Sequence, residues 1–262
     1  MTTTVQGFVL IENRDDVVWV WLSRPDRHNS LIPELISDLK NALMDAARQR
    51  PRALVVTAKG SSFSTGGDIA GFLDHRRTQQ DLRDYAEELV DGLHGVILDL
   101  IDFPAPVLAA LNGPVTGGSV GLMLAADLVA MAEHAFLQPY YSQVGFGPDG
   151  GWTALMPDRI GVSRTLEIQY RNERVNAAEA REIGLVSSVC PLSELEGQIG
   201  KWLDDLSGGS SRTHLATRRG VWDDARRETV RRRLDQEKDR FLELVALPET
   251  IEGMLEFTRR RA

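Results

Sequence analysis

The spacing of apolar positions changes period several times along the chain. Residues 7–12 (GFVLIE) and 17–22 (VVWVWL) are rich in β-branched and aromatic side chains and flank a polar turn at Asn13–Asp16, which predicts a pair of strands. Leu31, Leu35, Ile36, Leu39, Leu43 and Ala46 then recur at helical spacing over 31–48, with Asn29 or Ser30 as the expected cap and Pro33 in the first turn. ALVVTA (53–58), VLAAL (107–111) and LVAMA (128–132) are short apolar runs of the length of buried strands. Between them, residues 80–102 carry a helical pattern that ends before Pro104 and Pro106, and an apolar helix is expected after the turn at 112–121. Strand, helix and loop in such alternation predict an α/β fold with covered sheets.

Beyond about residue 150 the pattern changes. Segments 152–158, 163–171 and 177–183 are expected as short helices and VSSVC (186–190) as a last strand; 193–206 and 212–261 are charged and helical. The expected division is a core domain over 1–195 and a helical region over 196–262.

Composition narrows the function classes. The chain has 262 residues, no apolar run of the roughly 18 residues a membrane span needs, and an N-terminus without a basic start and long apolar stretch. A net charge of −8 argues against nucleic acid as a partner. Residues 210–240 hold nine arginines and one lysine against six acids, a distribution expected of a solvated helix face. The single cysteine, Cys190, suits a core position, and no cluster of metal ligands is present. These features together place the expected protein in the cytoplasm, with no metal.

Two glycine-rich turns carry the candidate chemistry. Ser61-Ser62-Phe63-Ser64-Thr65-Gly66-Gly67-Asp68 follows the strand at 53–58, and Asn112-Gly113-Pro114-Val115-Thr116-Gly117-Gly118-Ser119 follows the strand at 107–111. Glycine lets the backbone adopt unusual angles and brings peptide N–H groups close to a ligand. Two such turns side by side could aim two donors at one oxygen, an oxyanion hole. Each alone also suits an ordinary strand–helix turn. Neither matches a dinucleotide fingerprint or a P-loop.

Taken together, SRPDRHNSL (23–31), SSFSTGGDI (61–69), FPAPVLAALNGPVTGGSVGLMLAADLVAM (103–131), AFLQPYYSQVGFGPDGG (135–151), NAAEAREIGLVSSV (176–189) and ETIEGMLEFTRRR (249–261) resemble the crotonase superfamily, the enoyl-CoA hydratase/isomerase family. The resemblance implies a spiral of ββα units with a helical C-terminal region that builds a homotrimer or a hexamer. It implies an acyl-CoA thioester as substrate, with coenzyme A as part of that substrate and no other cofactor. By position, the amides of Gly67 and Gly118 correspond to the two oxyanion donors. Arg27 lies in the stretch that meets the CoA phosphates, and Thr65 and Gly67 lie in the segment that contacts adenine. Phe257 and Arg260 match tail positions that reach a neighbouring subunit's CoA.

The chain departs from the hydratase pattern at two places. The glutamates that activate water and supply the α-proton are replaced by Gly121 and Tyr140. Asp149, in GPDGG, is the carboxylate left in the region. It suits a proton shuttle for double-bond isomerisation and equally a cap for a helix over 150–157. Tyr140 and Tyr141 are expected near the acyl group, as wall or as proton donor. The expected activity is therefore isomerisation of an enoyl-CoA. A hydratase with non-standard acid/base residues and a non-catalytic acyl-CoA-binding homologue are the alternatives.

Overall fold

A computed structural model describes residues 2–260; Met1, Arg261 and Ala262, at the edges of the two expected regions and of the tail motif, lie outside the described residues. The chain opens with β1 (Thr2–Gln6), β2 (Val9–Arg14) and β3 (Val17–Leu22), a meander paired antiparallel. The sequence reading contains no counterpart of β1. α1 (Pro33–Arg48) leads to β4 (Ala53–Ala58), and α2 (Ile69–Asp74) and α3 (Gln79–Ile101) to β5 (Val107–Leu111). β6 (Val115–Thr116), α4 (Val120–Leu124), β7 (Leu128–Ala132), β8 (Phe136–Gln138) and α5 (Tyr141–Val144) follow. Then come α6 (Met156–Ile160), α7 (Val162–Arg171), β9 (Val175–Asn176), α8 (Ala177–Glu182) and β10 (Ser188–Cys190). Four helices complete the chain: α9 (Leu195–Ser207), α10 (Ser211–Val221), α11 (Asp224–Val245) and α12 (Pro248–Arg259).

Seven strands form one sheet in the order β1-β2-β3-β4-β5-β7-β10, parallel from β3 onward. β6, β8 and β9 form a second, smaller sheet. The period of two explains why the central strands are apolar throughout. Val18, Val20 and Leu22 of β3 face the main core with α1 and α3, while Val17, Trp19 and Trp21 face a second cluster closed by Leu195, Ile199 and Leu203 of α9. No helix among the described residues is long and apolar enough to cross a membrane.

Two local expectations are corrected. α1 begins at Pro33 with Ile32 as its cap and no side-chain cap bond. Asn29 is spent elsewhere: its Oδ1 accepts from Arg24 N at 2.7 Å, and its Nδ2 donates to the carbonyls of Lys59 and Ser62 at 2.8 and 2.9 Å. Residues 150–155 form turns, with helix only from Met156, so Asp149 caps no helix there. Positive φ at Gly150 (62°) and Gly151 (88°) takes that stretch out of helical geometry. The segment 212–261 is helical as expected, forming three helices within the described residues with breaks at Trp222–Asp223 and Ala246–Leu247.

Candidate active site

The two glycine-rich turns lie side by side. Ser64 N donates to Pro114 O at 3.2 Å, Thr116 N to Ser64 O at 3.0 Å, and Ser119 Oγ to Ser64 O at 3.0 Å. On the other flank of the first turn, Leu31 N donates to Gly66 O at 2.8 Å and Asp68 N donates to Leu31 O at 2.9 Å. Those bonds are made by the residues either side of Gly67. In extended chain successive peptide groups point in opposite directions, so the Gly67 N–H is turned away from Leu31, to the side where Gly67 lines a cavity. Gly118 lies in a 3-10 turn, Gly117–Ser119, that opens into α4. Amides in a first helical turn have no carbonyl one turn back, and Gly118 lines the same cavity. Glycine is needed at Gly66, where φ is 76° and a Cβ would lie 2.7 Å from Thr116 O.

Asp149 stands over the second turn. A Cβ placed on Gly118 would lie 2.8 Å from its Oδ2 and 2.9 Å from its Oδ1. The side chain is buried, and Oδ1 accepts from the Tyr141 hydroxyl at 2.5 Å. Burial pushes the carboxyl up to about 6, against the opposing pull of the Tyr141 hydrogen bond. The same burial, with the Asp149 charge beside it, raises the Tyr141 phenol well above its ordinary value.

Aromatic rings wall the cavity. Phe72, Phe146 and Phe241 meet with centroids 5.1, 4.9 and 6.0 Å apart, joined by Leu89, Val90 and Leu93 from α3. Tyr140 lines it too, at φ 63°, with its ring 5.6 Å from that of Phe257. Phe257, Thr65 and Gly67 also border an outer groove that contains Arg27 and His28.

The expected contacts divide accordingly. Thr65, Gly67, Gly118, Tyr140, Asp149 and Phe257 are brought together. Phe257, expected to reach a neighbouring subunit, lines the cavity of its own chain because α12 folds back over α5 and α2. Arg27 reaches the groove but pairs with Asp68 at 3.1 Å. Arg24 holds the same carboxylate at 2.8 Å. Burial would raise Asp68, but the two guanidinium groups outweigh it and hold it below the usual carboxylate range. Arg260 is exposed, pairs with Glu256 one turn back at 3.1 Å, and borders neither cavity nor groove.

Two residues outside the expected set touch the Asp149 turn. His94 of α3 accepts from Gly150 N at 3.3 Å; burial lowers its pKa to about 4, so it is neutral. Glu237 of α11 accepts from Gly151 N at 2.7 Å and from Thr153 N at 2.6 Å. In the sequence Glu237 is one more acid in a charged helix, and only the fold brings it to residues 84 to 86 positions earlier.

This spiral, with two glycine turns converging beneath an acidic loop, defines a crotonase. The enoyl-CoA hydratase/isomerase family model matches residues 12–262, and the chain belongs to that family. It is 33% identical over 221 residues to the probable enoyl-CoA hydratase EchA12 of Mycobacterium tuberculosis, covering 82% of this chain and 77% of that protein. It is 27% identical over 216 residues to 4-chlorobenzoyl coenzyme A dehalogenase-2 of an Arthrobacter species, with coverage of 82% and 77%. The crystal structure of enoyl-CoA hydratase from Bacillus halodurans superposes with a TM-score of 0.89 at 23% identity, over 95% of this chain and 100% of that one.

Proposed function

We propose that the protein is an enoyl-CoA isomerase in which Asp149 carries a proton between two carbons of a CoA thioester. The amides of Gly67 and Gly118 receive the thioester oxygen. Polarising that oxygen acidifies the α-carbon and stabilises the enolate, an effect for which one donor is typically worth about 2.7–4 kcal/mol. Ionised Asp149 takes a proton from C2 of a 3-enoyl thioester, giving a dienolate. It returns the proton to C4, and the double bond comes to rest between C2 and C3. Thr65, Tyr140 and Phe257 frame the acyl–pantetheine passage, and Arg27, released from Asp68, meets phosphate in the outer groove. Arg260 serves the CoA of a neighbouring copy in a homotrimer or dimer of trimers.

The observation that carries this reading is the Asp149 carboxylate lying against Gly118, in a cavity both residues line. Two-glutamate hydration is disfavoured on packing as well as composition. A Cβ on Gly121 would lie 2.3 Å from both Gly150 O and Ile97 Cδ1, which leaves no room for a glutamate. The test is 3-enoyl-CoA incubated in D₂O. Formation of the 2-enoyl isomer, lost in Asp149→Asn, is expected, with deuterium at C4 only in the fraction whose carried proton exchanges with solvent before its return. Thioester binding in calorimetry without isomerisation or exchange would leave a non-catalytic binder, and water addition to crotonyl-CoA would leave a hydratase.

A second reading is favoured by the Phe72, Phe146 and Phe241 wall, which suits a flat acyl group, and by the resemblance to a 4-chlorobenzoyl coenzyme A dehalogenase. There Asp149 would attack the ring carbon bearing the halogen, expel halide and form an aryl ester for water to cleave. Chloride release from 4-chlorobenzoyl-CoA decides between the two.

A further inference from the structure

Asp149 opens the turn over residues 150–155, where a short carboxylate ordinarily folds back onto the amides that follow it. Here those amides are taken by others. Glu237 Oε1 accepts from Thr153 N at 2.6 Å, Thr153 Oγ1 at 2.8 Å and Ala154 N at 2.8 Å, and its Oε2 accepts from Gly151 N at 2.7 Å. Gly150 N donates to His94 Nε2, which lies 3.7 Å from Glu237 Oε2. The Glu237 carboxylate is 1% exposed and borders no solvent. The turn is pinned on its opposite side by Trp152, whose Nε1 donates to Gly117 O at 2.8 Å and so ties it to the second glycine turn.

We propose that Glu237 is the positioning residue of Asp149. Reaching across from α11, it caps the amides of 151, 153 and 154, and thereby leaves the Asp149 carboxylate turned toward the cavity and the Gly118 amide. This rests on the reading of Asp149 as the proton carrier, and it explains how one aspartate at the start of a turn escapes the capping role its position invites. Without Glu237 the orphaned amides recruit Asp149 itself, the carboxylate at the start of the same turn. The carboxylate then leaves the acyl path while the cavity walls stay in place.

The titratable groups around Asp149 are Tyr141, His94 and Glu237, with Asp91 and Lys238 paired behind His94 at 2.7 Å. The test uses the full chain carrying Glu237→Gln, which leaves amide hydrogens facing backbone N–H groups, and Glu237→Asp, which keeps the charge but falls a methylene short. In both, kcat for exchange of the thioester's α-protons should fall about 100-fold, the scale of a 1 Å misplacement, with KM unchanged. The Asp149 carboxyl, followed by carbon-13 NMR and assigned by its loss in Asp149→Asn, should titrate at lower pH in both variants because it gains N–H donors. A charge effect alone would move it in Glu237→Gln and spare Glu237→Asp. Folded variants with wild-type kcat and wild-type Asp149 titration overturn the proposal. So does loss of the fold in both, which marks a carboxylate that only stabilises. Should wild-type protein exchange no thioester proton, the isomerase reading fails, while the titration, which needs no substrate, still decides what Glu237 does.

Discussion

Asp149 has the Tyr141 hydroxyl on one oxygen and the cavity beside it, and both neighbours bear on when it works. In the proposed role of base it acts ionised, so kcat/KM should rise with pH through a limb near 6, the value to which burial raises it. Tyr141→Phe removes the donor that favours the carboxylate. The limb should move to higher pH in that variant, as read from paired pH–rate profiles. The same shift has a cost in stability. The carboxyl binds its proton more tightly folded than unfolded. From the ordinary carboxylate range up to about 6 the unfolded chain therefore holds fewer protons, and stability falls as pH rises. Above that window the full deficit remains. Asp149→Asn removes it and keeps an acceptor for Tyr141, so the inactive variant should gain about 2–3 kcal/mol at pH 8 by urea unfolding, a gain that vanishes below pH 4.

At the scale of elements, legibility follows the reach of the forces involved. β3, β4 and β5 announce themselves as apolar runs because both faces of the sheet are covered, and α1 and α3 because a single stripe is buried. β1 (TTTVQ) is a largely exposed edge strand whose polar side chains carry no alternating pattern. β6 and β9 are two residues each, below the length at which a period exists. The candidate site divides the same way. The glycine turns and Asp149 stand out locally, whereas Glu237 and His94 acquire meaning only when α11 and α3 close around residues 150–154. The departure from the hydratase pattern at Gly121 is likewise an event between elements. Its missing side chain is the space in which α4 passes under the Asp149 turn, with Gly150 O at 2.3 Å from a would-be Cβ. Gly121→Ala should lower stability by about 1–3 kcal/mol through overpacking and slow isomerisation by displacing the turn. Gly121→Glu, the nominal restoration of a hydratase, should yield less folded protein and no water addition to crotonyl-CoA, as assayed by absorbance at the enoyl band.

At the scale of the whole molecule, the C-terminal helices are joined to the sheet-bearing part by a few buried polar ties, and these ties do different jobs. Glu237 holds the Asp149 turn. Arg218 of α10, only 8% exposed, holds the frame: it donates to the carbonyls of Leu100, Ile101 and Phe103 and pairs with Asp127 at 2.8 Å. The first two of those carbonyls end α3, where the last turn lacks intrahelical donors, and Phe103 follows just beyond it; Asp127 in turn accepts from Val107 N at the start of β5. One guanidinium thus closes a helix end, a strand start and a tail helix. Lysine cannot reproduce its fan of donors. Arg218→Ala removes a buried guanidinium from three carbonyls and from the partly exposed Asp127, which keeps Val107 N, and should cost about 1–3 kcal/mol, the range for leaving buried polar groups short of a partner; Arg218→Lys should recover part of that. Because α3 reaches the cavity through Leu89, Val90 and Leu93, two to three turns before the end that Arg218 secures, the damage should be global. Urea midpoints should fall while kcat per folded molecule and the pH limb of Asp149 stay where they were, the opposite signature to that of Glu237. If Arg218→Ala instead shifted the limb and spared the midpoint, the division of labour between the two ties would be reversed.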